Sequence, residues 1–236
     1  MITCTIESGE SIVDDGLEVD IERYIAEFAR GQKEIRFLCS RKIDNPINDF
    51  SDICLQVIDA YRVNHPEKDI SVLFVADSEE ITKCINGSDN GKYKQYYEPS
   101  NFRFYSGFLQ APSKQFKDTT HSSRKNSIRW AIQQADVLLC YYYEILSMCN
   151  APDVIRSALK RTDINIVNFK RVSTELQLLE LVNSLEERRQ FVFKELNNGR
   201  NAQSLAEELN ISTERVKQLF TAARRNLIWK FRRSER

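Results

Sequence analysis

"DISVLFVAD", residues 69–77, decides the fold. Six of its nine residues are apolar, and Ile70, Val72, Phe74 and Val75 are the β-branched and aromatic types that suit a pleated surface. A short apolar run closed by Asp at both ends is a strand buried on both faces. Upstream, "FSDICLQVIDAYRV" (50–63) carries apolar residues at 50, 53, 54, 57, 58 and 61, the period of a helix. "EIRFLC" (34–39) is a strand before it. "LEVDIERYIAEFARG" (17–31) is a second helix with Gly31 at its stop, and "ITCTI" (2–6) is the opening strand. Downstream, the helical "RKNSIRWAIQQ" (124–134) leads into the strand "ADVLLCYYY" (135–143). A helix over "APDVIRSALKR" (151–161) and a strand over "INIVNF" (164–169) close the series. This alternation predicts an α/β, Rossmann-like, mostly parallel sheet of five or six strands with helices on both faces. Residues 78–120 show no such order. "NGSDNGKYKQYYEPSN" (86–101) is rich in turn-forming residues and is a loop or insertion, whether lid, docking surface or plain excursion.

After Phe169 only helical periodicity remains, over 173–185, 186–199 and the segments that follow. The chain therefore divides into a body of residues 1–171 and a small all-α domain of residues 172–236, expected to be a helix-turn-helix.

Charge divides along the same line. Lys plus Arg and Asp plus Glu are both 34, yet residues 215–236 hold eight Lys/Arg and one Glu. Residues 171–236 hold thirteen cations against nine anions, so the body is negative by the same margin. A basic tail on an acidic body suits a phosphate backbone. No run is apolar enough for a membrane span, and "MITCTIESGE" lacks the build of a signal peptide, so a cytoplasmic protein without a membrane partner is expected. The six cysteines form no C-x-x-C pair, and the two histidines, His65 and His121, are far apart, so no metal site is expected. The same scarcity leaves no basis for a Ser-His-Asp or Cys-His arrangement.

Within the tail, Leu205, Ala206 and Leu209 form an apolar stripe, Asn210 ends that helix and Ile211 packs inward. Ser212 stands where its oxygen accepts from a free N–H of the next helix. There Val216, Leu219, Phe220, Ala223 and Leu227 share one face. Glu214, Arg215, Lys217, Gln218, Thr221 and Arg225 share the other; with Ser212, Thr213 and Arg224 they are the candidate DNA-binding set. An ordinary amphipathic helix with a solvated polar face has the same pattern, and cations near a helix C-terminus gain from its dipole. "SLAEELNISTERVKQLFTAARRNL" (204–227) resembles region 4 of bacterial sigma factors, the part that reads the upstream promoter element. "LEERRQFVFKEL" (185–196) is similar to the helix before it, and "TERVKQ" (213–218) stands where the family has Arg-Glu-Arg-Val-Arg-Gln. The resemblance implies double-stranded DNA as partner, read by Glu214, Arg215, Lys217 and Gln218. RNA polymerase is an alternative partner, and a homodimer is expected from the paired half-sites of such proteins.

In the body, ligand sites of an open parallel sheet lie at the C-terminal ends of its strands. The loops there give Glu7, Ser8, Gly9, Ser40, Arg41, Asp77 and Asn150 as candidate ligand-binding residues. Glu7, Glu10 and Asp77 could also gather as a carboxylate cluster, although exposed carboxylates at loop tips are usually just solvated. "RWAIQQADVLLCYYY" (129–143), with Trp130 and Asp136 at their spacing, and "CTIESGE" (4–10) resemble the small bacterial branch of the SLOG superfamily, Rossmann-like nucleotide-binding proteins. That resemblance implies a nucleotide-derived ligand. Departing from the family, residues 40–46 and 145–150 contain no glycine, which in such loops lets the backbone approach a phosphate. Two roles for the body follow, a site for a different ligand or a scaffold for dimerisation. The expectation is a DNA-binding regulator. A SLOG-type nucleotide-processing enzyme and an RNA polymerase-binding module are the alternatives.

Overall fold

The central strand of the computed structural model is the first in sequence, β1 (Ile2–Ser8). Around it stand β2 (Glu34–Cys39), β3 (Asp69–Ala76), β4 (Gly107–Gln110), β5 (Val137–Tyr141) and β6 (Asn165–Asn168). The helices are α1 (Leu17–Phe28), α2 (Phe50–Asn64), α3 (Ser123–Gln134), α4 (Val172–Asn183), α5 (Glu187–Asn197), α6 (Ala202–Glu208) and α7 (Thr213–Ser234). The structure describes residues 1–8, 15–40, 50–78, 81–82, 104–112, 123–143, 155, 158–159 and 161–234. The chain forms two compact units, the first ending at Phe169 and the second beginning at Lys170 and including Tyr143.

The first unit is a Rossmann-like α/β fold with a six-stranded sheet in the order β4-β3-β2-β1-β5-β6. Every pairing is parallel. The chain steps outward from β1 to β4, then returns to the other side of β1 for β5 and β6. Alternate side chains of a strand face opposite ways. Tyr141 of β5 stacks on Phe50 of α2 with centroids 5.8 Å apart, and Phe169 and Tyr24 of α1 extend that aromatic group. Leu138 and Cys140 face the other way and pack with Ile128 and Ile132 of α3. Ala131 of α3 joins Leu38 and Val75 on the same side. Helices thus cover both faces, and β5 is buried along its whole length.

Polar groups in this unit have structural work. The Thr3 N–H donates to Asp136 at 2.8 Å, and the Asp136 N–H donates back to the Thr3 carbonyl at 2.8 Å. Asp136 therefore fixes where β5 begins against β1. Asn168 extends the β5–β6 ladder with its side chain: its amide accepts from the Tyr142 N–H at 3.1 Å and donates to the Tyr142 carbonyl at 3.0 Å. Lys68 donates to the Ala29 and Gln32 carbonyls, both at 2.9 Å, placing a cation at the end of α1. Cys4, Cys39, Cys54 and Cys140 are buried free thiols. Burial, with Asp136 nearby, pushes the Cys4 thiol well above its ordinary range.

Strand β4 departs from the sequence expectation, which left residues 78–120 unassigned. Hydrogen bonding places it more than hydrophobic pattern does. The Ser106 N–H donates to the Val72 carbonyl at 2.7 Å, and the Ser106 hydroxyl accepts from the Val72 N–H at 3.2 Å. The expected helix over 151–161 falls mostly outside the described residues, within which Ile155 and Ala158 are buried in the α3–β5 cluster.

Candidate nucleic-acid interface

The second unit builds one long helix onto a small apolar core. Leu205 and Ala206 of α6 and Val192 and Phe193 of α5 pack with Val216, Phe220, Ala223 and Leu227 of α7. The Phe193 and Phe220 rings stack with centroids 5.1 Å apart. Among the described residues the core-facing positions of α7 are those the periodicity assigns to it.

The turn between α6 and α7 has a definite chemistry. Asn210 has φ 51, the left-handed region that Asn tolerates and β-branched residues do not. The Asn210 N–H donates to the Glu207 carbonyl at 3.2 Å and the Ile211 N–H to the Ala206 carbonyl at 3.0 Å, the paired bonds of a Schellman stop. The same device ends α5: Gly199 has φ 88, and the Gly199 and Arg200 N–H groups donate to Leu196 and Glu195, each at 3.0 Å. Arg200 then bonds Glu195 at 3.0 Å and also Glu208, tying the ends of α5 and α6 together. Those carboxylates raise the Arg200 guanidinium above its ordinary range. Asn201 caps α6 by accepting from the Gln203 N–H at 2.8 Å. Ser212 caps α7 as expected, its hydroxyl accepting from the Arg215 N–H at 3.1 Å.

The other face of α7 is open. Glu214, Arg215, Lys217, Gln218, Thr221 and Arg225 are all exposed, and so is Ser212. Thr213 is half-buried at the helix start. The Arg215 guanidinium donates to the Gln218 side-chain oxygen at 3.1 Å, so two groups suited to base edges stand together. Among the described residues, neither Lys217 nor Arg225 has a hydrogen-bonding or ion-pair partner. Arg224 differs: it is half-buried and already engaged within the protein. One residue step is about 100° around a helix, which separates Arg224 on the flank from Arg225 on the open face. Phe231 is fully buried while Trp229 is 58% exposed, a difference the sequence leaves open.

Of the candidate ligand residues of the body, Glu7, Ser8, Ser40 and Asp77 share one sheet edge, because the strands that carry or precede them run parallel. No protein-family model and no curated protein matches the chain. The strand order reverses between β1 and β5, and a crevice at such a switch point is where open α/β sheets take ligands. Glu7 and Ser8 lie there, in register with Cys140 and Tyr141. Ser40 follows β2, where it is buried and engaged. Asp77 follows β3 and is half-buried, its carbonyl accepting from the Ile81 N–H at 3.0 Å. β2 lies between the strands of Glu7 and Asp77, so those two residues sit about 10 Å apart across the sheet rather than side by side. Gly9, Glu10, Arg41 and Asn150 lie outside the described residues.

Proposed function

We propose that the chain is a DNA-binding transcription regulator in which α6, the Asn210 turn and α7 act as a helix-turn-helix on double-stranded DNA. The supporting observation is the open face of α7. It is a row of Arg, Lys, Gln and Thr side chains on a helix that is capped by Ser212 and anchored by a buried apolar face. Such a helix presents its N-terminal turns to a major groove without reorganising. Lys217 and Arg225 would neutralise phosphates and set register, while Glu214, Arg215 and Gln218 would meet base edges. The sigma region 4 likeness of residues 204–227 points the same way. In this reading the Rossmann-like unit takes a nucleotide-type ligand at the β1/β5 switch point or supplies the contact of a homodimer.

The test is a fluorescence-anisotropy titration of duplex DNA at several salt concentrations. Binding should weaken steeply with salt, and Lys217→Ala with Arg225→Ala should reduce the slope of log K against log salt by about two. Absence of binding at low salt would overturn this reading and favour an RNA polymerase-binding module or a SLOG-type enzyme.

A further inference from the structure

The open face of α7 does not end where groove reading ends. Gln218, Ala222, Arg225, Trp229 and Arg233 follow one another at spacings of three and four, so they form one stripe. The helix has 22 residues, about 33 Å of length, and Trp229 stands about 24 Å along the axis from Thr213. A straight helix lying in a groove that curves away around the duplex keeps only its first turns among the base edges. Its last turns meet the strand that borders the groove.

Trp229 has features of a contact residue. The residue is 58% exposed, although Phe231, two residues on, is fully buried. The Arg233 guanidinium lies over the indole at 5.2 Å, a cation–π contact that holds the ring in place. Arg225 is exposed one turn before, and Lys230 follows at the rim, donating to the Ser184 hydroxyl at 2.9 Å. An indole is a large apolar surface with one N–H donor, suited to deoxyribose on one side and a phosphate oxygen at its edge. The flanking cations decide the occupant: they repel the same face of a second copy and attract a polyanion.

We propose that Trp229, braced by Arg233, is a second DNA contact that seats on the sugar–phosphate backbone bordering the groove read by the N-terminal turns of α7. This inference rests on the DNA-binding reading above, and its test separates the two. The full-length protein and its Trp229→Phe variant are titrated with a duplex of about 30 base pairs, room for two half-sites, at low salt. Anisotropy of the labelled DNA and tryptophan emission are recorded together. The expected result is an emission change in the wild-type protein that saturates with the anisotropy and is missing from the Trp229→Phe variant. Trp229→Ala should weaken binding about five- to tenfold with an unchanged salt slope, since no charge is lost. Arg233→Ala should reduce that slope by about one. DNA binding with unchanged emission and unchanged Trp229→Ala affinity overturns this contact and leaves the DNA-binding reading standing. No DNA binding overturns both. An emission change on concentrating the protein without DNA, lost in Trp229→Phe, places a second copy on the indole and overturns the contact in favour of self-association.

Discussion

The two ends of the chain, β1 and α7, handle polar side chains in opposite ways. In and around β1 they are consumed by the architecture: Asp136 holds the Thr3 backbone, and Lys68 closes α1. On α7 the polar side chains along the outer face stand open, and Lys217 and Arg225 have no partner among the described residues. A charge with a partner inside the fold is explained by the fold. A row of charges without one, on a helix fixed by its opposite face, asks for a partner from outside. At the sheet edge, by contrast, Ser40 and Asp77 are already engaged within the fold.

Four substitutions test that contrast, the largest effect first. Phe193→Ala removes one ring of a fully buried stacked pair and should cost the helical unit about 3–5 kcal/mol. In differential scanning calorimetry the sheet-bearing unit should keep its own transition; a single transition moving as a whole would show that the two units do not melt apart. Asp136→Ala leaves the Thr3 N–H without its acceptor and should destabilise the sheet by about 1–3 kcal/mol, measured by urea denaturation, with DNA affinity unchanged. Loss of DNA binding in that variant would break the division of labour drawn here. Ser212→Ala removes the cap of α7 and should cost about 1 kcal/mol. Asn210→Gly, by relieving the left-handed turn, should recover a few tenths of a kcal/mol when combined with it, seen as a raised urea midpoint.

Much of this molecule is legible in its sequence because its periodicities are clean. The apolar positions of α2 and α7 mark their buried faces, and Gly31, Gly199 and Asn210 mark helix ends through their φ values. What escaped has physical causes. β4 is four residues long, alternates half-buried with exposed, and is held by Ser106 rather than by an apolar run. Strand order is a tertiary property, so the β1/β5 switch point was not readable from local pattern. Asp136 stood out in the sequence only by likeness to a family; its hydrogen bond to Thr3 gives the reason for that residue type. Within the candidate site, Ser212 was readable as a cap because capping is local. The separation of Arg224 from Arg225, and of Trp229 from Phe231, depended on which way the helix is rotated over its core.

The bond between Thr3 and Asp136 spans 133 positions of the chain. During synthesis β1 therefore emerges long before β5 and cannot complete its pairing until the sheet's far side has been made. The C-terminal helices are held by contacts of shorter reach, 46 positions between Ser184 and Lys230, and helical packing of that kind forms in microseconds to milliseconds rather than at the slower pace of remote strand pairing. The helices that follow the sheet in the chain can thus fold soon after they are made, while β1 waits for a partner.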